Sequence, residues 1–84
     1  MKSTVPEPAS VAVAAWADGE RMAVRLADGR EIGFPFALTR RLREANPAQR
    51  AHVEIICGGI GLHWPDLDED LSVSGIIEGR VGRA

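Results

Sequence analysis

The sequence predicts an α+β fold built on a small antiparallel sheet, and three features predict it. Residues 21–26 alternate apolar and polar side chains with a period of two, as a half-buried strand does. The pairs Asp18-Gly19, Asp28-Gly29 and Gly58-Gly59 punctuate the alternating segments at hairpin spacing. Residues 37–51 drop the alternation and take on helical spacing instead. The expected order is a three-stranded meander, a helical connection, a β-hairpin and a short C-terminal helix.

The first hairpin is expected to turn on Asp18-Gly19, because a type I′ turn needs positive φ at both central residues. That turn pairs Ala15 with Met22, Val13 with Val24 and Val11 with Leu26, all on one face. Trp16 then falls on the other face, opposite Arg21, within reach of a cation–π contact. The second turn reads as a three-residue loop, Ala27-Asp28-Gly29, with Gly29 at the left-handed position of a bulge. It pairs Val24 with Ile32, Met22 with Phe34 and Arg25 with Glu31. Pro35 lacks an N–H and places the third strand, Arg30 to about Phe36, at an edge or at its own end.

In the helical connection, Leu38 and Leu42 stand four residues apart and read as the buried side of a short amphipathic helix. Asn46 caps a second helical turn, Pro47 to about Ala51, with proline at the first helical position. The Gly58-Gly59 turn pairs Leu62 with Ile55, Trp64 with Val53 and Glu54 with His63. Cys57 is expected to be a small core residue. Residues 66–70 read as an acidic loop leading into a helix capped by Ser72. Val73, Ile76 and Ile77 share the face of that helix, and Gly79 ends it.

Length and composition limit what this fold can do. Eighty-four residues make one domain. Residues 1–10 are expected to be a disordered arm, 11–79 the domain and 80–84 a tail. No apolar run nears the roughly 20 residues of a membrane span, so no membrane partner is expected. Residues 1–10 also lack the apolar stretch of a secretory signal, which points to the cytoplasm. A single cysteine allows no internal disulfide. The net charge of −2 conceals a polarity: residues 1–50 carry 8 basic and 6 acidic groups, residues 51–84 carry 2 and 6.

Two clusters could carry function. Asp66, Asp68, Glu69 and Asp70 lie within five residues, next to His63 and Trp64. Set against a calcium-binding EF-hand loop beginning at Asp66, positions one, three and five match. The obligatory glycine is replaced by Leu71 and the final glutamate by Ile77. The reading without a metal is that acidic groups favour the positive start of the following helix. Arg40, Arg41, Arg43 and Arg50 form the second cluster, which could contact phosphates, although the chain's overall acidity argues against nucleic acid. Catalytic groupings are thin. Cys57 and His63 fall on opposite faces of their hairpin, no serine lies in a nucleophile elbow, and the glycines at 58, 59 and 61 do not spell a dinucleotide fingerprint.

The run GGIGLHWPDLDEDLSVSGIIEG from Gly58 to Gly79, with DGREIGFPF at Asp28–Phe36 and NPAQR at Asn46–Arg50, resembles the bacterial domains of unknown function numbered 2442. The resemblance spans about residues 11–79. It is most specific at His63-Trp64-Pro65, the acidic loop, Ser72-Val73 and Gly75. The aromatic residue that members often carry near Leu38 or Thr39 is absent here. The resemblance implies a small bacterial α+β domain with no catalytic residues. It also implies a gene lying beside that of another short protein, an arrangement like that of toxin–antitoxin pairs.

These readings lead to a non-catalytic module that binds a protein partner, the neighbouring gene product, as an antitoxin-like protein does. The contact residues are expected to be Trp64, Asp66, Asp68, Glu69 and Asp70, with Arg40, Arg41 and Arg43. No metal or cofactor is expected. Nucleic-acid binding through the arginine-bearing helix is the alternative, and a metal-dependent hydrolase using the acidic loop and His63 is a third. An open sheet edge leaves room for a homodimer.

Overall fold

Six short strands form two three-stranded antiparallel sheets in the computed structural model, which describes residues 10–81. The architecture is α+β. Strands β1 (Ala12–Asp18), β2 (Arg21–Leu26) and β3 (Glu31–Pro35) form the first sheet in chain order. A 3-10 turn at Phe36–Leu38 leads into α1 (Arg40–Arg43) and α2 (Pro47–Ala51). Strands β4 (Glu54–Ile56), β5 (Gly61–Trp64) and β6 (Glu69–Ser72) form the second sheet, also in chain order, and α3 (Val73–Ile77) follows. Most of the arm at 1–10 and the end of the tail at 80–84 lie outside the described residues. Arg80 and Val81 belong to the domain, and Val81 packs against the core.

The β2–β3 register is the expected one, with Val24 opposite Ile32, Met22 opposite Phe34 and Arg25 opposite Glu31. Gly29 sits at φ +93°, in the left-handed region the three-residue loop requires. The β4–β5 register also matches, with Glu54 opposite His63 and Ile55 opposite Leu62.

The β1–β2 register differs from the expectation by two residues. Ala17 faces Met22 and Ala15 faces Val24, because the chain reverses at Gly19-Glu20 rather than Asp18-Gly19. Gly19 alone of the two takes a positive φ, +62°, which suits a turn with glycine first. A bulge between Ala12 and Ala14 then shifts the strand by one residue. It turns Ala12 into the core and leaves Val13 outside, where the uninterrupted alternation had placed Val13 inward. Trp16 consequently meets Arg25, not Arg21, with the guanidinium 5.3 Å from its ring centre.

In the helical connection, Thr39 ends the 3-10 turn and its hydroxyl accepts a hydrogen bond from the Leu42 amide at 3.3 Å. That cap starts α1 two residues after Leu38, at Arg40, so Leu38 points to solvent while Leu42 is fully buried. The expected pairing of the two leucines on one helical face is therefore not realised. Asn46 does cap α2, in a full capping box with Gln49.

The turn after β4 brings Gly59 against β1. A Cβ there would lie 2.6 Å from the Ala12 carbonyl oxygen, and φ is +99°, so only glycine fits. Cys57, at φ +55°, is turned out to solvent rather than into the core.

The sixth strand is the element the sequence reading lacks. Residues 69–72 pair with β5 instead of starting a helix, with Trp64 opposite Glu69, His63 opposite Asp70 and Leu62 opposite Leu71. The acidic residues thus do not sit in the first turn of α3, and the dipole explanation for them fails. Ser72 caps α3 as expected, accepting from the Gly75 amide at 3.0 Å. Val73 and Ile76 are buried, but Ile77 is half exposed. Gly79 ends the helix through paired bonds, its own amide to Ile76 and the Arg80 amide to Gly75.

The inner faces of both sheets meet in one core containing Met22, Val24, Phe36, Leu42, Leu62 and Trp64. Among the described residues no helix is long and apolar enough to cross a membrane.

Candidate functional site

Strand alternation on β5 decides which residues face out. Leu62 and Trp64 turn inward, so His63 turns to the outer face of the second sheet. The registers then place Glu54 of β4 and Asp70 of β6 on either side of it, a row of carboxylate, imidazole and carboxylate across three strands. His63 Nδ1 lies 2.5 Å from Asp70 Oδ1. This bond, with the negative charge of Asp70, Glu54 and Asp68, holds the His63 proton above the ordinary imidazole range, against a smaller opposing desolvation effect.

The turn joining β5 to β6 is held from three directions. His52, at the end of α2, has Nδ1 2.9 Å from Asp66 Oδ2. The Leu67 amide donates to the Trp64 carbonyl at 3.1 Å. Arg41 of α1 donates Nη1 to the carbonyl oxygens of Leu67 (3.1 Å) and Asp68 (2.5 Å). The two charge clusters are therefore neighbours in space. Arg41 engages the backbone of the turn and not its carboxylates, so among the described residues Asp68 and Glu69 have no ion-pair partner. Asp68 is fixed at φ +52°, a conformation that asparagine and aspartate tolerate better than other side chains.

The remaining arginines are used by the fold itself. Arg50 is the most buried: its side chain is 14% exposed, its guanidinium sits 4.9 Å from the Phe36 ring centre, and it donates to the carbonyls of Leu42 and Arg43 at the end of α1. It also pairs with Glu20 at 3.1 Å. Arg43 donates to the Ala37 carbonyl. Arg40 is exposed and pairs with Glu44 one turn along at 3.4 Å.

Of the expected contact residues, Trp64 is corrected outright. It is fully buried, and its indole N–H donates to the Arg50 carbonyl at 3.1 Å, so it supports the site from inside and offers no surface for a contact. Asp66, Asp68, Glu69 and Asp70 are brought together with Arg41, whereas Arg40 and Arg43 point to other neighbours. Among the described residues no three His, Cys, Asp or Glu side chains are grouped as a metal site requires. His52 is the participant that sequence reasoning missed. The Glu54–His63 register was visible, but Asp70 joins the row only once β6 exists as a strand.

A family model described as "Protein of unknown function (DUF2442)" matches residues 12–82. A crystal structure of a protein of unknown function from Rhodospirillum rubrum is 39% identical, with a TM-score of 0.77, over 82% of this chain and 86% of that one. The solution structure of an uncharacterised protein from Chromobacterium violaceum is 29% identical, with a TM-score of 0.76, over 88% of this chain and 70% of that one. No curated protein matches.

Proposed function

The chain belongs to the DUF2442 family, and from that premise we propose that it is a cytoplasmic, non-catalytic protein-binding module. Its partner is a small protein with a basic contact surface, the product of the neighbouring gene, which it holds as an antitoxin-like protein does. The observation that carries this reading is the outer face of the second sheet with its turn. Glu54 and Asp70 stand on that face, Asp68 lies in the turn, and Glu69 adjoins it on the Trp64 side of β6; among the described residues only Asp70 of these four has an ion-pair partner, His63, and no Lys or Arg occurs between residues 51 and 79. Such a field attracts and orients a basic partner and repels acidic ones.

Support for nucleic-acid binding weakens for a matching reason. Arg41, Arg43 and Arg50 each donate to carbonyl oxygens of the chain, which leaves fewer guanidinium donors for phosphates. The catalytic reading lacks a cysteine nucleophile beside His63 among the described residues, since Cys57 lies exposed in the turn at the other end of the β4–β5 hairpin.

Co-expression with the neighbouring gene product and affinity capture tests the proposal. The chain is expected to retain the partner, and the D68N/E69Q variant to retain much less. Asparagine suits the Asp68 backbone at least as well as aspartate does, so that change removes charge without unfolding the turn. No captured complex, or a complex indifferent to the variant, would count against the reading.

A further inference from the structure

We propose that the turn 65–68 and strand β6 form a pH-responsive flap, whose pH-sensitive pin to the body of the domain is the bond between His63 of β5 and Asp70 of β6. The inference concerns the folded chain alone and does not depend on the docking reading.

The geometry is a strap with one histidine at each end. Asp66, at the start, meets His52 Nδ1 at 2.9 Å, and Asp70, in β6, meets His63 Nδ1 at 2.5 Å. The two histidines stand on different elements, the end of α2 and the middle of β5. Between them, Arg41 holds the Leu67 and Asp68 carbonyls, and its charge does not change with pH in the neutral range. The strap is otherwise lightly held. β6 has four residues and pairs along one edge, and only Leu67 and Leu71 of the strap pack against the core.

The charged groups facing His63 are Asp70 on β6, Asp68 in the turn and Glu54 on β4, all acidic. His52 faces Asp66, while its neighbour Arg50 turns away to Glu20 and to the end of α1. A protonated His63 therefore makes a charge-assisted bond to Asp70. A neutral His63 retains at most an ordinary hydrogen bond and sits among three carboxylates with nothing to offset their repulsion. For a group whose proton is held more tightly in the folded state, the stabilisation is complete below the ordinary imidazole pKa. It is lost as pH rises through the raised folded value. Opening of the strap should increase across that window while the first sheet is unaffected.

Amide hydrogen exchange followed by NMR tests this at pH 5.5 and pH 8.5, with rates expressed as protection relative to the unstructured rate at each pH. Protection of the β6 amides is expected to fall by about threefold at the higher pH, with the β2 amides unchanged. The H63Q variant should show low, pH-independent β6 protection, and D70N, which leaves His63 in place, should lose part of the pH response. Protection in β6 that is equal at both pH values overturns the proposal. So does a loss that β2 shares, or a full pH response that survives in D70N and in H63Q alike.

Discussion

Replacing Trp64 by phenylalanine separates a core residue from a contact residue. Trp64 has no exposed surface, and its indole N–H is bonded to the Arg50 carbonyl at 3.1 Å. Phenylalanine keeps most of the apolar contact but leaves that carbonyl without its donor and a small void beside it. The lost hydrogen bond costs about 1–3 kcal/mol, and the void adds roughly 24 cal/mol per Å³. In a domain of this size each kcal/mol moves the midpoint by about 4–8 °C, so W64F should melt roughly 10 °C below the wild type. Thermal and urea unfolding can be followed by Trp16 emission, because Trp16 remains in the variant and lies on the opposite sheet. Partner capture by folded W64F should match the wild type. An unchanged midpoint, or a normal midpoint with lost capture, would refute the placement of Trp64 in the core.

Two further substitutions test how the elements are joined. G59A should cost at least about 2 kcal/mol, because strain at positive φ is compounded by the Ala12 carbonyl 2.6 Å from the new Cβ. G19A meets no atom within 4 Å and should cost only about 1 kcal/mol; equal losses in urea denaturation would argue against the contact between the hairpin turn and β1. R50K should lose about 1–3 kcal/mol, since lysine cannot span the Leu42 and Arg43 carbonyls while lying flat on Phe36, and a midpoint within error of wild type would contradict that role.

What could be read from the sequence followed local chemistry. The β2–β3 register was legible because Gly29 in its loop and the Arg25–Glu31 pair agree on one alignment. The β4–β5 register was legible because Gly58-Gly59 fixes the reversal and brings Leu62 opposite Ile55. The first hairpin was misaligned because two turns of nearly equal merit overlap at Asp18-Gly19-Glu20, and the bulge that settles which face Ala12 and Val13 occupy, beside the Gly59 turn, has no mark in the alternation of the strand. Strand β6 was invisible because Glu69 and Asp70 have poor strand propensity. Tertiary contacts make it a strand: the ladder to β5, Leu71 opposite Leu62 and the hold of Arg41 on the preceding turn.

The candidate site was half legible for the same reason. The density of carboxylates at 66–70 marked the place, and the alternation on β5 put His63 on the outer face. The sequence offered no sign that Arg41, twenty-seven residues before Asp68, would hold the backbone of the turn and leave carboxylates free. The motif His63-Trp64-Pro65 made Trp64 conspicuous, but a conspicuous aromatic within a period-two strand belongs to whichever face its neighbours decide, and Leu62 decides for the core.

The most direct test of the acidic docking face is calorimetric titration of the purified chain with the neighbouring gene product, at low and at high salt. Binding should weaken as salt rises, because a contact between opposite charges is screened. At low salt, the D68N/E69Q variant should bind at least about tenfold more weakly, with its melting midpoint unchanged. Absence of binding at low salt, or binding that neither salt nor the variant alters, would contradict the account.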